Sequence, residues 1–171
     1  MKNDLIAPLV FVGLVLIAPS RAAASKDACS LMSAADAEAA LGEPVGAPVS
    51  EPRSSGASDG SECKFKSTQG RALKGKNVAL TVQYATSDVT GSTKGIADNL
   101  RSAGMKNVHE VSGVGDGAVW GSTSMMGRPM GELSVLKGKH IMLIILINGI
   151  ADEADSLSRA KALAAKVLPK A

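Results

Sequence analysis

Apolar positions along the chain fall into three patterns: one long unbroken run near the start, several short stretches alternating with polar residues, and a few stretches at helical spacing. The long run, Leu5 to Ala18, covers roughly fourteen residues, shorter than the ~20 a helix needs to cross a bilayer. Lys2 precedes it and the small residues Ala22-Ala23-Ala24 follow Pro19. Together they predict a signal peptide over residues 1–24, cleaved after Ala24, although Asp4 cancels the charge of Lys2. A lipid-carrying cysteine would have to follow the apolar run directly. The first cysteine is Cys29, behind Ser25-Lys26-Asp27-Ala28, and charged residues there do not fit lipidation. Residues 25–171 are therefore expected to form one exported domain with no membrane anchor, in the periplasm or outside the cell.

Ser33-Ala34-Ala35-Asp36 reads as a capping box, and Gly42 followed by Pro44 ends a helix over about 34–41. Residues 43–62, rich in Pro, Gly and Ser, read as an exposed, flexible loop with at most a short extended piece from Val45 to Val49. Glu62 to Lys66 and Val78 to Tyr84 alternate polar and apolar, the mark of half-buried strands. Ile96 and Leu100 lie four apart in a second helix over about 92–103, closed by Gly104. Val108–Val111, Ala118–Trp120 and Gly131–Leu136 are short extended segments. Residues 141–147, Ile-Met-Leu-Ile-Ile-Leu-Ile, are apolar at both parities and predict a central strand covered on both faces along at least part of its length. Lys137-Gly138-Lys139 reads as the hairpin turn before it.

The last helix, about 152–168, carries Asp152, Glu153 and Asp155 in its first turn and Lys166 near its end, in accord with the helix dipole. Ala154, Leu157, Ala160, Ala164 and Val167 form its expected inner stripe. Strands that follow one another through short turns point to an α+β fold, a mainly antiparallel sheet of five to six strands packed by two to three helices.

The segment Ala28-Cys29-Ser30-Leu31-Met32-Ser33 through Leu41-Gly42-Glu43-Pro44-Val45 resembles the opening of small exported bacterial domains that begin C-S-L-L-T/S-x-x-E-x-x-x-x-L-G-x-P-V. Val111-Ser112-Gly113-Val114-Gly115-Asp116-Gly117-Ala118 resembles their v-x-G-l-G-D-x-A turn, and Leu133 to Ile147 their penultimate hairpin. Many of those domains are lipoproteins, and this chain departs from them in lacking the lipid-carrying cysteine. The resemblance implies a fold and a compartment and carries no activity or catalytic residue.

Composition narrows the functions. Without residues 1–24 the chain has 147 residues, enough for one core, with 17 basic and 15 acidic side chains. A net charge of +2 is too small for an electrostatic nucleic-acid footprint, and three aromatic side chains (Phe65, Tyr84, Trp120) are too few for a base-stacking platform. Two cysteines in an oxidising compartment predict a Cys29–Cys63 disulfide; two free thiols or a metal pair are disfavoured by the long spacing and the absence of C-x-x-C.

Gly113-x-Gly115-x-Gly117 lacks the following helix a phosphate-cradling loop requires, so it reads as a tight turn. Met125, Met126 and Met130 in a Gly-rich stretch, with His140 and Met142 as an H-x-M pair, are the candidate ligands for Cu(I), which thioethers suit. Core packing competes with that reading, for Met142 above all, which shares a strand face with Ile144 and Leu146. His109 and His140, the only imidazoles, sit in no nucleophile motif. Lys64, Lys66, Arg71, Lys74 and Lys76 cluster about one hairpin and form the candidate partner surface, although charge runs on turns are commonly just solvated. The sequence reading is an exported binding protein without a cofactor, acting on a protein or another envelope component. A periplasmic copper carrier is the second reading and a hydrolase the third.

Overall fold

The computed structural model describes residues 26–54, 58–69, 75–85 and 93–171. The expected signal peptide, Arg71, Lys74 and the helix start at Ser92 lie outside the described residues. In chain order the elements are α1 (Ala28–Leu31), α2 (Ala34–Leu41), β1 (Val49–Pro52), β2 (Ser58–Lys66), β3 (Asn77–Ala85), α3 (Thr93–Ser102), β4 (Lys106–Glu110), β5 (Gly117–Met125), β6 (Arg128–Lys137), β7 (Ile141–Asn148) and α4 (Glu153–Val167). The fold is α+β. All seven strands form one antiparallel sheet in the order β1-β2-β3-β7-β6-β5-β4.

The sheet has more strands than its sequence suggests, because residues 43–62 are not a loop throughout. Val45 bridges Ser67, β1 lies within the stretch, and β2 begins at Ser58. The order there comes from pairing with β3, which is invisible to local composition. Gly60 shows the constraint: a Cβ at this residue would stand 2.3 Å from the Val82 carbonyl oxygen.

Helix ends follow local chemistry. The Ser33 hydroxyl accepts from the Asp36 backbone N–H while the Asp36 carboxylate accepts from the Ser33 N–H, and Gly42 closes α2 at φ 72°. Asp152 caps α4 by accepting from Asp155 N.

Side chains alternate across the sheet. On one face Cys63, Phe65, Val78, Leu80, Val82, Ala118, Trp120, Leu133, Val135, Leu143, Ile145 and Ile147 are buried, and α1, α2 and α4 pack over them as the main core. The disulfide Cys29–Cys63 ties α1 to β2 within this layer, with Cα atoms 4.9 Å apart. The buried stripe of α4 is Ser156, Ala160, Leu163, Ala164 and Val167. Ala154 is exposed and Leu163 takes a core position the expected stripe omitted. Ala160, Ala164 and Val167 are shared with the expected stripe, whose centre was offset by roughly a sixth of a turn because alanine marks an inner face only weakly.

On the second face α3 packs over β5 and β4, with Ala97, Leu100, Met105 and Val119 forming a smaller cluster. The Gly113–Gly117 segment is the tight turn its glycines suggest. Gly113 and Gly115 have φ of 76° and 57°, and the Asp116 N–H donates to the Leu136 carbonyl at 2.9 Å. Among the described residues no helix is long and apolar enough to cross a membrane.

Candidate functional site

Strand β7 is central, between β3 and β6, but only one of its faces is covered as expected. Leu143, Ile145 and Ile147 are fully buried under the helices, whereas Met142, Ile144 and Leu146 are half-buried on the opposite face. Met142 is thus not a core residue. The reason is topological: α3 packs chiefly over β4 and β5.

The open floor is defined by cross-strand rows. Lys64, Ala79, Leu146 and Glu132 form one, followed by Gly121 beneath α3. Glu62, Thr81, Ile144 and Ser134 form the next, and Gly60, Gln83, Met142 and Leu136 the third. Half-buried Met142, Ile144 and Leu146 thus lie among buried Ala79, Thr81 and Ser134, with Glu62, Lys64, Gln83 and Glu132 around them. On the far side α3 makes a wall, with Leu100, Met105 and Val108 filling the space above Gly121.

Two carboxylates on this floor sit in opposite environments. Burial pushes Glu62 upward, but Lys64 at 3.0 Å and Arg53 at 3.1 Å outweigh it and hold the group below its ordinary value. Glu132 has no such help. Burial raises its pKa, and only a hydrogen bond from the Ser134 hydroxyl at 3.0 Å acts the other way. Among the described residues no lysine or arginine forms an ion pair with Glu132; the α3 cations Lys94 and Arg101 both pair with Asp98.

The candidate basic surface divides across the sheet. Lys64 and Lys66 stand at the β2 edge of the open face. Lys76 is turned to the helical face, where it donates to the Leu41 carbonyl at 3.2 Å and lies 3.5 Å from Glu43. It serves the C-terminus of α2, as a cation at a helix end does.

The candidate copper ligands do not converge either. Met126 and Gly127, at φ 51° and 74°, form the two-residue turn between β5 and β6, leaving Met125 60% and Met126 98% exposed. Met130 packs on the α3 cluster. His140 lies in the turn at the other end of β6, about 30 Å away for a ten-residue strand. Among the described residues no group of three or more His, Cys, Asp and Glu could hold a metal ion. His109 and Glu110 point to opposite sides of edge strand β4, His109 toward the Asn107 carbonyl and Glu110 toward Thr93.

Two small hollows lie elsewhere. One of about 120 Å³ separates α2 from α4, lined by Asp36, Arg159 and Lys166. The other, about 110 Å³, lies beside Trp120, whose Nε1–H donates to Glu153 at 3.0 Å while Asn107 donates to the other Glu153 oxygen at 2.8 Å. Both are far below the ~300–1,000 Å³ of ordinary ligand pockets. The second face of β7, which sequence reasoning expected to be covered, carries half-buried Met142, Ile144 and Leu146 with no helix of the described residues packed chiefly over them. The one local signal for it was the polar parity of β6, where Glu132 and Ser134 alternate with the core residues Leu133 and Val135. No protein-family model, no curated protein and no solved structure matches this chain.

Proposed function

We propose that this is an exported binding protein that works through the open face of its sheet, with a protein partner covering Met142, Ile144 and Leu146. The observation that carries this reading is the central strand β7, apolar at both parities yet packed by helices on only one. A sheet buries its apolar faces against other layers, and among the described residues the second layer consists of α3 over β4 and β5. Bordering polar groups around an apolar centre match the anatomy of protein interfaces.

The disulfide and the amino-terminal run Leu5 to Ala18 with Ala22-Ala23-Ala24 support export to the periplasm or medium. The resemblance of Cys29 to Val45 to exported bacterial domains belongs to the same reading. Of the basic residues, Lys64 and Lys66 border the proposed surface.

The test is site-specific photo-crosslinking in the protein's own host, with benzoylphenylalanine at Met142 or, as a control on the other side of the sheet, at His109. A discrete adduct from position 142 alone is expected. Equal labelling from both positions, or none from 142, overturns the proposal.

A further inference from the structure

The β5–β6 hairpin ends in residues that neither conformation nor packing favours. Met126 and Gly127 form its two-residue turn, both at positive φ, a geometry that suits Asn-Gly and that a methionine rarely adopts. The other non-glycine residue with positive φ among those described is Asn107, whose short polar side chain tolerates it. Met126 is almost fully exposed and Met125 largely so, which leaves both side chains with little to pack against.

What distinguishes methionine at such a place is its sulfur. A thioether binds soft metals or takes up oxygen. For the first reaction the turn lacks further ligands, because Met130 packs on the α3 cluster and His140 lies at the other end of β6. For the second it needs only access. The other methionines of the described residues are shielded: Met32 and Met105 are buried, and Met130 and Met142 are half-buried.

We propose that Met125 and Met126 are a reversible oxidation site, which consumes peroxide-class oxidants ahead of the methionines packed on the sheet. The thioether sulfur attacks one peroxide oxygen, so that an S–O bond forms and the O–O bond breaks. The proton of the attacked oxygen passes to the departing hydroxide, and sulfoxide and water result. A dithiol, with a methionine sulfoxide reductase as catalyst, returns the thioether; the oxygen leaves as water and the dithiol becomes a disulfide. A sulfoxide is polar and disrupts a core, but at an exposed turn it is solvated from the start. The hairpin therefore passes between both states without loss of packing, which Met130 against α3 and Met142 beside Ile144 cannot do. None of this depends on a partner at Met142.

The test treats the protein purified from its own host with one equivalent of hydrogen peroxide and maps sulfoxide by tandem mass spectrometry. Met126 and Met125 should react about tenfold faster than Met130 and Met142, and Met32 and Met105 more slowly still. Methionine sulfoxide reductase with thioredoxin should restore both turn residues, and the melting temperature should be the same before and after their oxidation. In Met125→Leu, Met126→Leu protein the same equivalent of peroxide should raise sulfoxide at Met130 and Met142 severalfold. Oxidation of Met130 or Met142 at the rate of Met126 overturns the proposal. So does a turn sulfoxide that the reductase leaves untouched, a fall in melting temperature on oxidation of the turn, or an unchanged yield at Met130 and Met142 in the double variant.

Discussion

Gly131 leaves the space that the Trp120 ring occupies: a Cβ on Gly131 would stand 2.2 Å from Trp120 Cη2 and 3.0 Å from the Ser156 hydroxyl oxygen. Trp120 is fully buried and its Nε1–H is fixed on Glu153, so the ring cannot swing away without breaking that bond. Gly131→Ala is therefore expected to cost about 1–3 kcal/mol through overpacking. Thermal unfolding followed by tryptophan fluorescence checks it, since Trp120 is the only tryptophan.

Asp36 links the start of α2 to the end of α4. Burial alone would raise its pKa, but hydrogen bonds from the Ser33 hydroxyl and backbone, with Lys166 and Lys170 nearby, lower it from 3.8 to about 2. A lowered carboxyl pKa stabilises the fold above the unfolded value, and that contribution is lost as pH falls from about 4 to about 2. Ser33→Ala should cost about 1 kcal/mol at neutral pH. Urea titrations of both proteins should show the difference shrinking across that acid range, and a constant difference would contradict the assignment.

Glu132 has the opposite sign. Its folded pKa is raised, so the fold bears the cost of a desolvated carboxylate above that value and loses the cost as pH falls toward the ordinary glutamate range. Glu132→Gln is expected to raise the melting temperature by a few degrees at neutral pH and to have no effect in acid, where both side chains are neutral. Calorimetry at the two pH values decides this. A fall in melting temperature at neutral pH would show that the carboxylate is compensated.

The Cys29–Cys63 bond closes a loop of 34 residues' separation and joins α1 to β2. Loop entropy assigns such a link about 3.8 kcal/mol. The Cys29→Ser, Cys63→Ser double variant should lose about that much in denaturant unfolding. Loss is expected to concentrate in α1 and β1, whose amides should exchange with solvent faster than those of β7.

Cu(I) titration should give no stoichiometric complex tighter than micromolar. Met125 and Met126 occupy one turn, Met130 packs against α3, and His140 lies at the opposite end of β6. One tight site would show that the turn methionines suffice without His140.

Local chemistry made much of this fold legible. Ser33, Asp36 and Gly42 carry their own instructions for starting and stopping α2, and the sequence bounds of 34–41 coincide with the helix. The runs in β3 and β7 identify strands because alternation and β-branching act within a few residues, and the two cysteines could be paired because there are only two. Strand order was not local. Only the assembled sheet places β7 between β3 and β6, recruits β1 and the first half of β2 from a segment that composition marks as loop, and sets α3 over β4 and β5. The same assembly separates Lys76 from Lys64 and His140 from the turn methionines, and puts Glu132 on an apolar floor. Sequence alone determined which segments can be helices and strands and which are apolar; tertiary structure decided which apolar face stays open, because covering a face depends on contacts between residues far apart in the chain.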